Sequence, residues 1–181
     1  MAVDSDEQLM KALAKGSEDA LRELYGRHAG TMLRLLQRLV SDRSVAEEIM
    51  QEAWLAVWQA AGSFRGDSSV RGWLLGVARR QAHNRLRRQS APTTELSEAV
   101  AVADPTVDIE AQVLVKADLM ALADAVAALP DHLREVVILT VVDELPYRDV
   151  SAVLGVPVGT VKSRMAHARV RLAAAIGPGR T

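Results

Sequence analysis

Three groups of residues in this 181-residue chain have the types and spacing to hold a polyanion or a basic protein. The first is Lys162, Ser163, Arg164, His167, Arg169 and Arg171, interleaved with Val161, Met165, Ala168 and Leu172 at helical spacing. Thr160 stands just ahead of them. A helix with one apolar stripe and a basic, hydrogen-bonding remainder can rest on a core and reach base edges and phosphates. The second group is Arg80, Asn84, Arg87 and Arg88, whose offsets of zero, four, seven and eight place them on one helical face. Ahead of it runs the polar loop Phe64-Arg65-Gly66-Asp67-Ser68-Ser69. That face suits phosphate tracking, and the loop suits a pocket for an unstacked base. The third group is Glu47, Glu48, Gln51 and Glu52, with Trp54, Leu55 and Trp58 beside them. Glu48 and Glu52 are four apart and repel by a few tenths of a kcal/mol in an isolated helix. Two readings of this face are open: a solvated surface, or a docking face for a basic partner with large apolar anchors. Nothing nearby completes an octahedral oxygen shell, so no metal site is expected.

The first group must be positioned by what precedes it. Val150, Val153 and Leu154 form an apolar stripe on a short helix. Gly155 supplies the permissive backbone for a tight turn after it. Pro157 cannot continue that helix but is tolerated at the start of another. Residues 145–172 thus carry the helix-turn-helix pattern, whose second helix enters the major groove. An ordinary helical hairpin with a solvated basic face has the same pattern, so the rest of the chain must decide.

Apolar residues make up 49% of the chain, enough for a globular core, and Ala and Leu content with helical periodicity indicates an all-α fold. The net charge of −1 conceals a polar layout. Residues 64–90 hold seven Arg against one Asp, residues 91–131 hold eight acids against one Lys, and residues 158–181 hold five basic residues and no acid. With no Cys, disulfides, thiolate catalysis and Cys-ligated zinc are excluded. No apolar run approaches a membrane span, and the acidic amino terminus lacks the features of a signal peptide, so a soluble, cytoplasmic protein is expected. A P-loop, a metal cluster and a nucleophile–base set are all missing, so neither an enzyme nor a cofactor is expected.

Local signals predict the remaining elements. Ser5 and Gln8 form a capping box for a helix with Leu9, Met10 and Leu13. Gly16-Ser17 breaks and restarts it, and Leu21, Leu24, Tyr25, His28, Met32, Leu35, Leu36 and Leu39 follow at helical spacing. His28 reads as a packed or rim residue, since no ligand partner shares its spacing. Ser44 and Glu47 form a second capping box, opening a helix through Ile49, Ala53, Val57 and Ala60. Ser69 caps a helix that buries Trp73, Leu74, Val77 and Ala78. Pro92, Pro105 and a run of Ser, Thr and acids mark a linker. A helix from about Ile109 ends before Pro130, and Asp131 caps the next, with Leu133, Val136, Val137, Leu139 and Thr140. Gly177-Pro178 stops the last helix. The expected plan is two small helical domains, 5–89 and 109–177, joined by an acidic flexible linker over 90–108.

The combination resembles a bacterial RNA polymerase sigma factor of the extracytoplasmic-function group, over residues 8–175 or so. Ala46-Glu47-Glu48-Ile49-Met50-Gln51-Glu52-Ala53-Trp54 resembles the helix that docks on the clamp of the polymerase's largest subunit. Phe64 through Leu74 resembles the loop and helix that read and melt the minus-ten element. Leu129-Pro130 through Val136, with Leu154-Gly155-Val156-Pro157-Val158-Gly159-Thr160-Val161-Lys162-Ser163-Arg164, resembles the minus-thirty-five-binding domain. The chain departs from the family where Val70 replaces a frequent aromatic, Arg80 a frequent Asn, and Pro146 a usual Ser. No appended sensory domain is expected after the helix-turn-helix.

The resemblance implies a non-enzymatic initiation factor that binds core polymerase at the clamp and at the flap of the second-largest subunit, and both double- and single-stranded promoter DNA. It assigns Glu47, Glu48, Gln51, Glu52, Trp54 and Leu55 to docking. It assigns Phe64 to Ser69, Trp73, Arg80, Asn84, Arg87 and Arg88 to the minus-ten element, with Thr160, Lys162, Ser163, Arg164, His167, Arg169 and Arg171 on the minus-thirty-five element. It also implies an anti-sigma factor as partner and no membrane insertion. A stand-alone helix-turn-helix regulator is the alternative, and it would need a dimer and palindromic half-sites. The acidic linker has the charge to mask a basic face. Deleting Glu95, Glu98, Asp104 and Asp108 is therefore expected to raise affinity for a promoter duplex at low salt; unchanged affinity in a titration removes the masking role.

Overall fold

The computed structural model describes residues 4–40, 42–89 and 120–176, and these are all-helical, without a strand among them. The linker over 90–108, the helix start near Ile109 and the stop at Gly177-Pro178 lie outside the described residues. The chain divides into two compact units, Met1–Val100 with Ala152–Gly155, and Ala101–Ser151 with Val156–Thr181.

In the first unit, α1 spans Asp6–Leu13 and begins with the expected capping box. The Gln8 amide N–H donates to Ser5 Oγ at 3.3 Å, and the Ser5 N–H donates to Gln8 Oε1 at 2.7 Å. After the turn at Gly16, Ser17 Oγ accepts from the Ala20 N–H and α2 runs Glu18–Leu39. Helix α3 spans Arg43–Ala60, starting ahead of the predicted Ser44–Glu47 box. Asp42 is the cap: its carboxylate accepts from the Ser44 N–H and hydroxyl, both at 2.8 Å. Two capping residues stood two positions apart, and the carboxylate is the one that the helix uses. The Ser44 hydroxyl and backbone hold the Asp42 carboxyl below its ordinary range. A single 3-10 turn, Ala61–Ser63, leads to the loop ahead of α4, Val70–Gln89.

Packing follows the apolar stripes. α2 touches α1, α3 and α4, and α3 also packs on α4. Leu24, Met32, Leu36, Ile49, Val57, Leu74 and Leu75 are completely or almost completely buried. Helices α1 and α2 are further tied by polar groups. Asp6 Oδ1 accepts from Arg27 Nη1 at 2.9 Å, and Asp6 Oδ2 lies 2.6 Å from His28 Nε2. His28 is thus a packed residue with a carboxylate partner from another helix. Burial by itself raises the Asp6 carboxyl, but hydrogen bonds and charge from Arg27 and His28 outweigh it and hold the group below its ordinary value.

In the second unit, residues 120–127 form the described part of α5, and α6 spans Asp131–Val137. Its cap position is Pro130, where Asp131 was expected. The Pro130 carbonyl accepts from the Leu133 and Arg134 N–H groups, and Asp131, inside the first turn, pairs with Arg134. The chain continues from α6 through a π-helical turn, Ile138–Val142, that no sequence pattern announced. Glu144 follows in the left-handed region at φ 52°. Helix α7 spans Tyr147–Leu154, with the Pro146 carbonyl accepting from the Asp149 and Val150 N–H groups. Gly155 turns the chain at φ 66°, a backbone shape that side chains with a Cβ rarely adopt. Helix α8, Val158–Ile176, then packs on α6 through Val161, Met165 and Ala168.

Asp6→Asn removes the charge that ties α1 to α2. It is expected to lower the thermal midpoint at pH 7 by about 4–8 °C, for about 1 kcal/mol lost in a unit of this size. A carboxyl with a depressed folded pKa stabilises fully above its unfolded value, about 3.9, and loses that contribution as pH falls through the folded value. The gap between parent and variant should therefore narrow as the pH of the melts is taken down through and below the ordinary carboxyl range. A gap of constant size contradicts the assignment.

Candidate nucleic-acid and docking surfaces

The α8 surface is fixed by its buried stripe. With Val161, Met165 and Ala168 turned inward, Lys162, Ser163, His167, Arg169 and Arg171 are exposed, and Thr160 and Arg164 are half-buried. At about 100° per residue, Arg164 and Arg171 fall on one flank of the stripe, and Lys162 and Arg169 on the other. Ser163 and His167 lie on the outer side between the flanks. The four cations carry no ion pair among the described residues, so their charge is available to a ligand. The Ser163 hydroxyl donates to the Thr160 carbonyl at 3.0 Å, which leaves its oxygen as an acceptor at the surface.

The loop of residues 64–69 is held at both ends. At its start, the Phe64 N–H donates to the Ala61 carbonyl at 3.2 Å. At its end, Ser69 Oγ caps α4 by accepting from the Gly72 N–H at 3.0 Å. Between them Gly66 takes φ 75°, and Arg65, Gly66, Asp67 and Ser69 are exposed while Ser68 is buried. Phe64 meets Trp73 edge to face, with ring centroids 5.9 Å apart and planes at 72°. Trp73 was expected in the core; it is half-buried, because this ring pair holds it at the loop. Val70 is buried in the first turn of α4 and adds nothing to the surface. Beyond the loop, Arg80, Arg87 and Arg88 are exposed, Asn84 is half-exposed, and the three arginines carry no ion pair among the described residues.

The acidic face of α3 differs more from expectation. Trp54 is only 7% exposed and meets the Tyr25 ring of α2 at a tilt of 48°, centroids 5.1 Å apart, so it is a core residue and cannot be a surface anchor as it stands. Its Nε1 finds no hydrogen-bond partner among the described residues. Leu55, by contrast, is 59% exposed. Helical spacing aligns it with Glu48, Gln51 and Glu52 in one outward row. The acids of the row are not bare. Arg85 of α4 reaches Glu48 at 2.7 Å and Glu52 at 3.5 Å, and Arg43 pairs with Glu47 at 3.0 Å. Arg85 was not singled out by its spacing, since it lies off the Arg80–Arg87–Arg88 face, and its partners are 33 and 37 positions away.

Two family models match these two units. The model described as Sigma-70 region 2 matches residues 24–91, and the model described as Sigma-70, region 4 matches residues 119–172. The chain is 35% identical over 174 residues to the ECF RNA polymerase sigma factor SigM of Mycobacterium tuberculosis, covering 96% of this chain and 85% of that protein. It is 32% identical over 184 residues to the RNA polymerase sigma-H factor of Pseudomonas aeruginosa, covering 97% of this chain and 95% of that one. In fold it is similar to the sigma factor RpoE of Bartonella quintana, solved in complex with the anti-sigma factor NepR. The TM-score is 0.64 at 24% identity, over 91% of this chain and all of that one. It is likewise similar to CnrH, solved with the cytosolic domain of CnrY, at a TM-score of 0.63 and 23% identity over 94% and 96% of the two chains.

Proposed function

We infer residue roles for a chain that belongs to the extracytoplasmic-function group of RNA polymerase sigma factors and directs promoter-specific transcription initiation. The observation that carries the reading is a pair of unlike basic surfaces, each with cations free of ion pairs among the described residues, one on each unit. A dimeric regulator needs one such surface used twice; two different ones suit a chain that touches two DNA elements.

In this reading α8 enters the major groove of the minus-thirty-five element. Lys162, Ser163 and His167 reach base edges, the Ser163 oxygen as an acceptor for an exocyclic amine, and each good contact contributes about 1–3 kcal/mol of discrimination. Arg164, Arg169 and Arg171 hold phosphates, and Thr160 sits where the helix enters the groove. On the first unit, Arg80, Asn84, Arg87 and Arg88 track the minus-ten backbone. An extruded base lodges in the loop from Arg65 to Ser69, beside the Phe64–Trp73 pair, and its capture offsets part of the few kcal/mol that unstacking costs. The row Glu48, Gln51, Glu52 and Leu55, flanked by Glu47, docks on the polymerase clamp. Trp54 supports that row from beneath. The second unit meets the polymerase flap.

This chain makes and breaks no bond; catalysis is the polymerase's. Its place of work is the cytoplasm, where core polymerase is found. Among the described residues no helix is long and apolar enough to cross a membrane. The anti-sigma partner named for the Bartonella quintana structure supports a third partner of that kind here. In this reading the two domains run over 5–89 and 109–177, joined by the linker over 90–108.

Two measurements test the roles. In promoter selection by holoenzyme, Lys162→Ala is expected to relax sequence choice at one minus-thirty-five position. Arg87→Ala should instead weaken binding evenly across sequences and lower the salt slope by about 1. Equal losses with unchanged sequence preference contradict the split. Separately, Glu52→Lys is expected to impair assembly with core polymerase in gel filtration. Full assembly removes α3 from docking.

A further inference from the structure

The seven arginines between residues 64 and 90 do not share one task. Arg80, Arg87 and Arg88 face outward without ion pairs among the described residues, and Arg71 and Arg79 have interactions within the fold. Arg85 reaches from α4 to α3 and touches two carboxylates of one row: Nη2 lies 2.7 Å from Glu48 Oε2, and Nη1 lies 3.5 Å from Glu52 Oε1. We propose that Arg85 is the positioning residue of the docking face, holding Glu48 and Glu52 as a fixed pair of carboxylates for a cationic partner surface. The proposal rests on the docking role inferred above for α3.

The physics favours positioning over simple masking. Two carboxylates one turn apart repel, and with no cation between them each adopts a rotamer that separates them. A planar guanidinium with its five donors can bond both at once and so sets their spacing. Each contact uses one oxygen of its carboxylate, and the other oxygen keeps its acceptor capacity. The Glu48 and Glu52 side chains remain 56% and 41% exposed, so the bridged pair still presents itself to solvent, while Arg85 is 30% exposed and sits beneath. A half-exposed bridge of this kind adds little to stability. Its value lies in side chains already ordered before the partner arrives, which lowers the cost of binding. The same contact ties α3 to α4, the helix that carries the outward basic face.

The test measures the affinity of the full chain for purified core polymerase, without DNA, for the parent, R85Q, R85K, E48Q/E52Q and the triple variant R85Q/E48Q/E52Q, with a thermal melt of each. Arg85 acting through the two acids predicts that R85Q weakens binding about three- to tenfold with little change in melting, and that R85K restores part of it. In the E48Q/E52Q background, already weakened, R85Q should add nothing further. The proposal is overturned if R85Q binds as tightly as the parent or more tightly. It also falls if the R85Q loss adds in full to that of E48Q/E52Q, or if it appears only with a matching drop in melting temperature. If E48Q/E52Q binds like the parent, the docking role of α3 fails and takes this proposal with it. If E48Q/E52Q is weak and R85Q is not, docking stands and positioning alone is lost.

Discussion

An arginine that closes an ion pair inside the fold is lost to a phosphate outside it. The helical scaffold uses this constraint to sort one basic block into separate tasks. Arg85 is drawn to Glu48 and Glu52 on α3, so that it answers the acids of the outward row. Arg80, Arg87 and Arg88, two turns of the same helix, keep their charge for a ligand. Net charge therefore carries little information here, and the pairing pattern carries most of it. The acidic face of α3 is likewise less acidic than its composition, because Arg43 and Arg85 compensate Glu47, Glu48 and Glu52.

The remaining architecture serves to keep those side chains in register. Caps start α1, α2, α3 and α4 at defined residues, and a one-residue slip of a helix start would turn each charged face by about 100°. The Asp6 contact with Arg27 and His28 adds a polar tie between α1 and α2 to the burial of Leu9, Met10 and Leu13. Between α7 and α8 the Gly155 turn, together with the buried stripe of α8, decides that Ser163 and His167 face outward. The chain belongs to a group whose members touch promoter DNA and a polymerase, and it has two small helical units with which to do so.

What was legible in the sequence was local. The Ser5–Gln8 box, the Gly16 break, the Ser69 cap, the Gly155 turn and the stripe of α8 all depend on local spacing, and all are found; the α2 stripe is found except at Tyr25, which is 50% exposed. What was not legible depends on distance along the chain. Arg85 meets Glu48 across 37 positions, and Asp6 meets His28 across 22. The outward side of α3 was also hard to choose, because the helix packs on both α2 and α4 and its apolar residues nearly encircle it. Trp54 and Leu55 are adjacent and similarly apolar, yet one is core and the other surface. Asp42 and Asp131 show a related ambiguity: each is a good capping type near a helix start, and only one of them serves as the cap. The π-helical turn after α6 has no periodic signature at all.

Transcription in vitro with purified core polymerase tests the central claim most directly. Templates are a pool of genomic fragments from the organism that makes this chain, and start sites are mapped with and without it. A promoter-directing subunit predicts discrete starts, each a fixed distance downstream of a shared pair of sequence elements, that appear only when the chain is present. Identical transcripts with and without the chain, or new starts that share no upstream elements, would contradict it.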